Sequence, residues 1–500
     1  MNNVIARCAI RTLFPGSFLA LLVGCATVTN PVTGQAERTV MDEPREIAEG
    51  QKAHQQVLAE YGVYPNQQLQ AYVNELGQRL AGQSHRENLE WHFTVLDSPE
   101  VNAFALPGGY VYVTRGLMAY MDSEADLAGV VGHEIGHVTA RHSAQRATRQ
   151  QSAGLGVLAA SVLGALLESR LPGAGQMMGQ VSQGVAAGYI AKYGREQELQ
   201  ADQLGAEYLA RNHYNPRNMV DVIQGLKNQE RFAADTARAE GRPAPPRTNW
   251  LSSHPSNDQR LQEITQIAAK YTGDYSDDGQ ARYLKMIDGM TFGESSEQGL
   301  TRGQNFYHAG LGIALTAPQG WKIRNSPDAV MLLNPTGDAG LLMKLIPPKA
   351  GTTHEEIIRN IFQSEQEQVE RYALSGLPAT HFVGTRTNPQ GQAQSMEGTI
   401  VTGPDNHHYF LAYASKSPQS LATARGGLRA AERSFRPLTA ADRADARPWT
   451  LRVVPVPPGG FKQMAQSTPL GDYPEPQLRL LNGFYAGGAP AAGSLVKTVQ

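Results

Sequence analysis

The chain is poor in cysteine, in long apolar runs and in charge of one sign, and each shortage excludes a class of protein. It has two cysteines among 500 residues. Cys8 falls in a predicted N-terminal leader, so the mature chain is expected to have no disulfide. The net charge of −2 comes without a basic run, which gives no electrostatic case for a nucleic-acid partner. No apolar run reaches the roughly 20 residues of a transmembrane helix.

The N-terminus has the pattern of a secretory leader. Arg7 and Arg11 precede a short apolar run that ends in Leu-Val-Gly-Cys, which predicts a signal peptide over residues 1–24. L-V-G-C resembles a bacterial lipobox, in which Cys25 becomes the lipidated first residue; an ordinary signal peptide or a short anchor is the alternative. Ala26 differs from the aspartate that retains lipoproteins in the inner membrane. The resemblance therefore implies a periplasmic protein, lipid-anchored to the outer membrane.

The run V-V-G-H-E-I-G-H-V contains the motif H-E-x-x-H. Residues four apart on a helix lie about 40° apart around its axis, so His133 and His137 face the same cleft. They can share one zinc ion, and Glu134 can take a proton from a water at that ion. A chance match is the alternative, and the context of the motif has to decide between them.

The sequence around the motif is typical of a buried helix. Ser123 and Asp126 resemble a capping box, and residues 127–138 are uncharged apart from Glu134. Two buried histidines and a buried glutamate are costly without a partner, and one metal ion per chain removes that cost. His142 lies nine residues after His133, which predicts that it points to the opposite face as a surface or capping residue.

A catalytic zinc site needs a third protein ligand. Glu198 and Asp202 lie four residues apart on a second predicted helix. This spacing allows Glu198 to reach the metal while Asp202 holds a ligand imidazole by its other nitrogen. A solvated acidic helix face is the alternative. Arg195 is a candidate second electrophile or a partner of Asp202.

Four motifs occur in order: V-N-A-F-A-L-P-G-G-Y-V-Y-V at 101–113, H-E-I-G-H at 133–137, E-L-Q-A-D at 198–202, and S-H-P-S-N-D-Q-R-L at 253–261. Together they resemble the gluzincin metallopeptidase family of the CAAX prenyl endopeptidases and the periplasmic β-barrel assembly-enhancing proteases. The resemblance implies that His133, His137 and Glu198 bind zinc, that Glu134 is the general base, and that Asp202 supports a ligand.

Two further predictions concern substrate and regulation. Tyr110 to Val113 alternates as a strand does, and its free edge beside the zinc helix could take an extended peptide by strand addition. By resemblance, Asn102 and Ala103 bind the substrate; a turn-closing role is the alternative for Asn102. His254 is a candidate oxyanion donor, or it occupies the open zinc position in a latent state, and the alternative is a turn-capping histidine.

The predicted fold class is a multidomain α+β protein. Its length and its 41% of hydrophobic residues suit two to four domains with hydrophobic cores. The predicted segments are a tether at 25–45, a mainly helical zincin-type peptidase domain with a small sheet at 46–272, a linker at 273–303, an α+β domain at 304–438 and a tail at 448–500. The Gly/Ala-rich segment 153–189 is predicted as a buried helix pair or a lid over the cleft, with membrane contact as the alternative.

The two C-terminal segments carry weaker patterns. Residues 304–438 predict an antiparallel sheet with helices on one side, including one long helix at 353–374. The stretch G-L-G-I-A-L-T-A-P-Q-G-W at 310–321 resembles the PsbP-like fold. The tail is predicted as strand, helix, helix, strand and resembles a LysM-type module, which binds peptidoglycan in other proteins. It lacks that module's usual G-D-T.

The function predicted is that of a zinc endopeptidase of the cell envelope. By family resemblance its substrates are unfolded or misassembled envelope proteins, and the outer-membrane assembly machinery is a candidate partner. A latent protease that acts as a chaperone or assembly factor is one alternative, and an adaptor that binds peptidoglycan is another. No tetratricopeptide-type repeat follows the peptidase domain.

Overall fold

The computed structural model describes residues 26–152, 193–243, 250–255, 258–326, 329–362, 365–387 and 393–500. The predicted signal peptide, Cys25 and the segment 153–189 lie outside the described residues. Within them the protein is a multidomain α+β chain with a helical N-terminal region and several sheets. None of the described helices combines the length and apolarity needed to cross a bilayer.

The N-terminal region contains these elements: β1 (Ala26–Thr29), β2 (Ala36–Thr39), α1 (Glu43–Tyr61), α2 (Gln67–Ala81), β3 (His92–Leu96), β4 (Ala103–Leu106), β5 (Tyr110–Thr114), α3 (Arg115–Ala119), α4 (Glu124–Thr139), α5 (His142–Ser152), α6 (Arg195–Arg211), α7 (Asn218–Ala239), a 3₁₀ turn (Trp250–Ser252) and α8 (Asp258–Ala268). The β1–β2 hairpin occupies part of the predicted tether. It is bonded to the C-cap of α4 through Asn30 Nδ2, which donates to the Ala140 carbonyl at 3.4 Å, and to α5 through Gln145 Nε2, which donates to Glu37.

Helix α4 is the centre of this region, and all of its residues are buried. It begins as predicted, with a capping box in which the Ser123 hydroxyl accepts from the Asp126 amide and the Asp126 carboxylate accepts from the Ser123 amide. Its contact with α6 is close because both helices carry glycine at the crossing. A Cβ on Gly136 would lie 3.0 Å from the Ala201 carbonyl oxygen, and one on Gly205 would lie 3.1 Å from the His133 amide nitrogen.

The three-stranded sheet beside α4 has the order β3–β5–β4. Strand β5 is parallel to β3 and antiparallel to β4, so both of its edges are paired. The prediction that Tyr110 to Val113 presents a free edge is therefore wrong. The sequence alternation identified the strand but gave no information on strand order. In this sheet β4 is the edge strand on the side away from β3.

Residues 273–303, predicted as a linker, contain α9 (Gln280–Ile287), β6 (Thr291–Phe292) and β7 (Leu300–Arg302). Tyr283 and Ile287 of α9 are fully buried in the same hydrophobic cluster as the peptidase helices. Arg282 of α9 also pairs with Glu124, the first residue of α4. This segment therefore packs directly against the N-terminal end of the motif helix.

The tail has the predicted order, with β18 (Trp449–Pro455), α13 (Gly460–Met464), α14 (Pro474–Leu481) and β19 (Leu495–Val499). Strand β18 pairs with β19 on one side and β6 on the other. Leu451, Leu478 and Val499 belong to the hydrophobic cluster of the peptidase helices. Lys497 is fully buried and donates to the carbonyls of Ala119 at 3.0 Å and Met121 at 2.7 Å, so the tail and the N-terminal region share one core.

The α+β region contains β8 (Asn305–His308), β9 (Ile313–Thr316), β10 (Lys322–Ser326), β11 (Ala329–Leu333), β12 (Ala339–Leu345), α10 (His354–Ile357) followed by a π-helical turn (Ile358–Phe362), β13 (Glu365–Leu374), β14 (Leu377–Thr387), β15 (Ala393–Thr402), β16 (His408–Ser415), α11 (Pro418–Arg433), β17 (Arg436–Pro437) and α12 (Ala440–Asp445). Strands β10–β11–β12–β16–β15–β14–β13 form an antiparallel seven-stranded sheet.

Two predictions for this region are wrong. The helix expected at 353–374 ends at Phe362, and residues 365–374 form an edge strand. The Glu- and Gln-rich sequence favours a helix, but the turn at Ser375 (φ 51°) and Gly376 (φ 82°) returns the chain as a hairpin with β14. Helices also cover both faces of the sheet, since Leu428 of α11 packs on one face and Ile357 of α10 on the other.

Candidate metal centre

Four side chains from three elements converge at the centre of the N-terminal region. His133 and His137 come from α4, Glu198 from α6 and His254 from the loop after the 3₁₀ turn, with ligand atoms all within 4.8 Å of one another. His133 Nε2 lies 3.0 Å from His137 Nε2 and 3.2 Å from His254 Nδ1. Glu198 Oε1 lies 3.5 Å from His137 Nε2 and 3.0 Å from His254 Nδ1.

This group has the chemistry of a zinc site. Two imidazoles and a carboxylate are a common catalytic zinc ligand set, and each of the four side chains is buried with at most 2% of its residue exposed. Burial favours the neutral carboxyl of Glu198, but His254, His137 and Arg260 hold its pKa well below the usual range. The ligand therefore stays ionised, and the residues present fit a divalent metal.

Glu134 is oriented by a residue that the sequence did not single out. Its Oε1 accepts a hydrogen bond from Trp250 Nε1 at 2.9 Å, and His254 Nε2 lies 3.4 Å from the same oxygen. Glu134 is fully buried, and its Oε2 has no hydrogen-bond partner among the described residues. A buried carboxyl oxygen held next to the ligand cluster is in a position to receive a proton.

Asp202 lies where the i,i+4 spacing from Glu198 predicts. Its Oδ1 is 2.9 Å from His133 Nδ1. Arg260, on α8, donates to both oxygens of Asp202 at 2.8 Å and reaches Glu198 Oε2 at 2.8 Å. Burial raises the pKa of Asp202, but Arg260 and His133 together lower it below its ordinary value.

Arg195 does not pair with Asp202, which is one of its two predicted roles. Its side chain is 56% exposed and pairs with Glu263 at 2.7 Å, while Arg260 is the arginine that binds Asp202. Arg195 is the first residue of α6 and precedes Asp202 by nearly two turns, whereas α8 crosses the face on which Asp202 lies. Arg260 belongs to the sequence motif at 253–261, but the spacing of that motif does not predict its contact with Asp202 on α6.

His142 is also placed differently from the prediction. Helix α4 ends at Thr139, and Arg141 adopts a left-handed conformation (φ 58°), so α5 starts with His142 turned back toward α4. His142 is fully buried with its Nδ1 2.8 Å from His137 Nδ1, and burial lowers its pKa to about 4. Tyr193 stacks on His137 with ring centroids 3.8 Å apart. The prediction failed because it assumed one continuous helix.

The predicted substrate residues lie at the start of β4. The backbone amide of Asn102 donates to Thr114 Oγ1 at 3.1 Å. The side-chain oxygen Oδ1 of Asn102 is buried without a hydrogen-bond partner among the described residues. Ala103 is fully buried and pairs with Val113 of β5. The Trp250 amide donates to the preceding carbonyl, that of Val101, at 2.7 Å. These contacts connect the edge strand to the turn that orients Glu134.

Comparisons with known proteins agree with this geometry. Residues 67–268 match the profile of Peptidase family M48. The chain is similar to the beta-barrel assembly-enhancing protease of Yersinia pestis, with 32% identity over 47% of this chain and 46% of that protein. It is also similar to the mitochondrial metalloendopeptidase OMA1 of Arabidopsis thaliana, with 31% identity over 37% of this chain and 33% of the relative. The chain thus spans under half the length of these two relatives.

One solved structure also aligns with part of this chain. The solution structure of cyanobacterial PsbP from Synechocystis aligns with 28% of this chain and 98% of its own, at 13% identity and a TM-score of 0.20. A TM-score this low supports no assignment, and the PsbP-like fold of residues 304–438 stays a prediction.

The match over residues 67–268 covers the H-E-x-x-H helix, Glu198 and the His254 loop. The structure brings these same residues together in one buried group of three histidines and a glutamate. Profile and geometry therefore agree on the class of site. Over residues 67–268, this chain matches Peptidase family M48 in profile and carries a buried His–His–Glu–His group compatible with a metallopeptidase site.

Proposed function

We propose that the chain is a zinc-dependent endopeptidase of the bacterial cell envelope that cleaves misfolded or misassembled envelope proteins. The observation that carries this proposal is the buried group of His133, His137 and Glu198, beside which Glu134 Oε2 has no hydrogen-bond partner in the part of the chain that the structure describes. The ligands and the proton acceptor of a hydrolytic site are thereby present together.

His133, His137 and Glu198 would hold one zinc ion. When bound, such an ion polarises the scissile carbonyl and makes water more acidic, to a pKa of roughly 7. Glu134 accepts the proton of the attacking water on Oε2 and delivers it to the leaving amine. Trp250 keeps Glu134 in place through Oε1 during both transfers. Asp202 and Arg260 keep His133 and Glu198 oriented.

Three features support the proposed substrate class. One relative is named a beta-barrel assembly-enhancing protease, and the predicted lipobox at Cys25 favours the periplasmic face of the outer membrane. The edge strand β4 lies next to α4 in the same fold. Recognition by strand addition relies on backbone hydrogen bonds, so it accepts extended segments of varied sequence. Unfolded envelope proteins present such segments.

The proposal is tested by measuring zinc content and casein cleavage on the same purified samples. We expect one zinc per chain in the wild type. Glu134→Gln keeps the zinc and abolishes cleavage, because it removes the proton acceptor and leaves the ligands. Glu196→Gln is the matched control, since Glu196 is an exposed carboxylate close to Glu198 on α6. Absence of zinc from the wild type, or full cleavage by Glu134→Gln, contradicts the proposal.

A second candidate function is a latent protease that acts mainly as a chaperone or assembly factor. The observation that favours it is the position of His254, whose Nδ1 lies within the ligand group next to Glu198 and His133. A fourth protein ligand there leaves no open position for water. This candidate predicts that casein cleavage appears only in His254→Ala. Cleavage by the wild type at an equal or higher rate refutes latency.

Peptidoglycan binding by the tail remains a separate proposal. It rests on the LysM-like sequence pattern of residues 448–500. Sedimentation of the purified protein with peptidoglycan sacculi tests it. Because Lys497 and Leu478 are buried against the N-terminal region, deletion of the tail is a poor control. Competition by soluble glycan fragments is the better one.

A further inference from the structure

His142 and Gln200 lie behind His137, against the ring nitrogen that does not face the other ligands. His142 Nδ1 is 2.8 Å from His137 Nδ1, and His142 Nε2 is 2.9 Å from Gln200 Oε1. Both histidines are buried. Gln200 lies on α6, between Glu198 and Asp202 in sequence. The three side chains therefore form a hydrogen-bonded row that ends at a candidate ligand.

The positions of the protons along this row follow from the chemistry of the groups. A side-chain carbonyl oxygen only accepts, so His142 donates its Nε2–H to Gln200 Oε1. A neutral imidazole protonated on Nε2 has a lone pair on Nδ1, and this lone pair accepts from His137 Nδ1–H. His137 Nε2 is then left with a free lone pair. It is the nitrogen that lies 3.0 Å from His133 Nε2.

We propose that His142 is a positioning residue that, with Gln200, fixes His137 in the tautomer whose free Nε2 is directed at the metal site. This inference rests on the proposed function, because it concerns the same zinc site. A metal-binding histidine is held and its tautomer is set through its other ring nitrogen. The loop geometry at Arg141 brings His142 to that nitrogen of His137.

The two histidines of the motif are thus supported differently. His133 faces a carboxylate, Asp202, whose charge is balanced by Arg260. His137 faces a neutral imidazole, so its support adds no negative charge to a site that already holds Glu134, Glu198 and Asp202.

The test is the zinc dissociation constant of the purified full-length protein, measured by competition with a chromophoric chelator. His142→Leu keeps the approximate volume of the side chain and removes the Nδ1 that accepts from His137. We expect zinc binding to become about 10–100-fold weaker, as when a metal ligand loses its supporting partner. His142→Asn places an amide oxygen where Nδ1 lies and is expected to restore affinity to within a few-fold of wild type. A merely structural role predicts no such rescue.

Thr139→Val is the matched control. Its hydroxyl bonds to Tyr208 and to the Gly136 carbonyl at the same end of α4, without contact to a ligand. If Thr139→Val weakens zinc binding as much as His142→Leu, general loosening of the helix end explains the loss and the inference is overturned. Unchanged affinity in His142→Leu overturns it as well. Absence of zinc from the wild type refutes the proposed function instead.

A second pair of variants applies if His142→Leu does not fold. Gln200→Leu removes the Oε1 that accepts from His142. We expect it to weaken zinc binding by a smaller factor than His142→Leu does. Gln200→Glu retains an acceptor oxygen and is expected to bind zinc like the wild type. Equal affinity of the two Gln200 variants would overturn the inference independently of His142.

Discussion

Replacing Arg260 by methionine should destabilise the peptidase domain far more than replacing Arg195. Arg260 is buried and makes contacts of 2.8 Å with Asp202 and Glu198, so its loss leaves two buried carboxylates without their cation. Breaking a buried ion pair from one side costs about 3–5 kcal/mol. At about 2–4 °C per kcal/mol for a domain of this size, the melting temperature should fall by about 6–20 °C.

Arg195→Met is the matched control, since this arginine is half exposed and pairs with Glu263. An exposed pair contributes about 0–1 kcal/mol, which predicts a shift of at most about 4 °C. The measurement is thermal unfolding of the metal-free protein, followed by tryptophan fluorescence because Trp250 packs against His133. Equal shifts in the two variants would refute the argument that Arg260 balances the charge of the site.

Three further predictions follow from packing and from the metal. Gly136→Ala places a methyl group 3.0 Å from the Ala201 carbonyl oxygen and should weaken zinc binding, because it separates α4 from α6. Gly225→Ala, with open space around it, should leave the zinc affinity unchanged. Equal zinc affinities of the two variants would contradict this prediction. Lys497→Met leaves buried carbonyls without a donor, at about 1–3 kcal/mol each, and should lower the urea midpoint of the whole N-terminal region, unlike Lys462→Met at an exposed position of the tail. Chelation should abolish casein cleavage and stoichiometric zinc should restore it; cleavage that survives removal of all metal would exclude a metallopeptidase mechanism.

The sequence predicted the parts of the site that depend on local spacing. His133 and His137 are four residues apart on one helix, and so are Glu198 and Asp202, so helical geometry alone places each pair on one face. The capping box at Ser123 fixed where the helix begins. The convergence of the two pairs was implied by family resemblance, and its physical cause, the glycines at the crossing of α4 and α6, became visible only in the structure.

The parts that sequence reasoning missed depend on turns and on contacts between distant elements. One left-handed residue, Arg141, moved His142 from the predicted surface to the back of His137. Arg260 and Trp250 reach the site from elements more than 50 residues away from their partners. In the α+β region, pairing with β14 overrode the helical propensity of residues 365–374, since strand formation is decided by neighbours rather than by composition.

The contact of Lys497 with Ala119 has a consequence for the order in which the molecule folds. These residues are 378 positions apart, and their bond closes the core around the start of the motif helix. Contacts of such long sequence separation form slowly, because a large loop must be closed first. A chain synthesised from its N-terminus therefore lacks part of this core until residues 495–499 have been made. Assembly of the core around α4 is thereby coupled to the synthesis of β19.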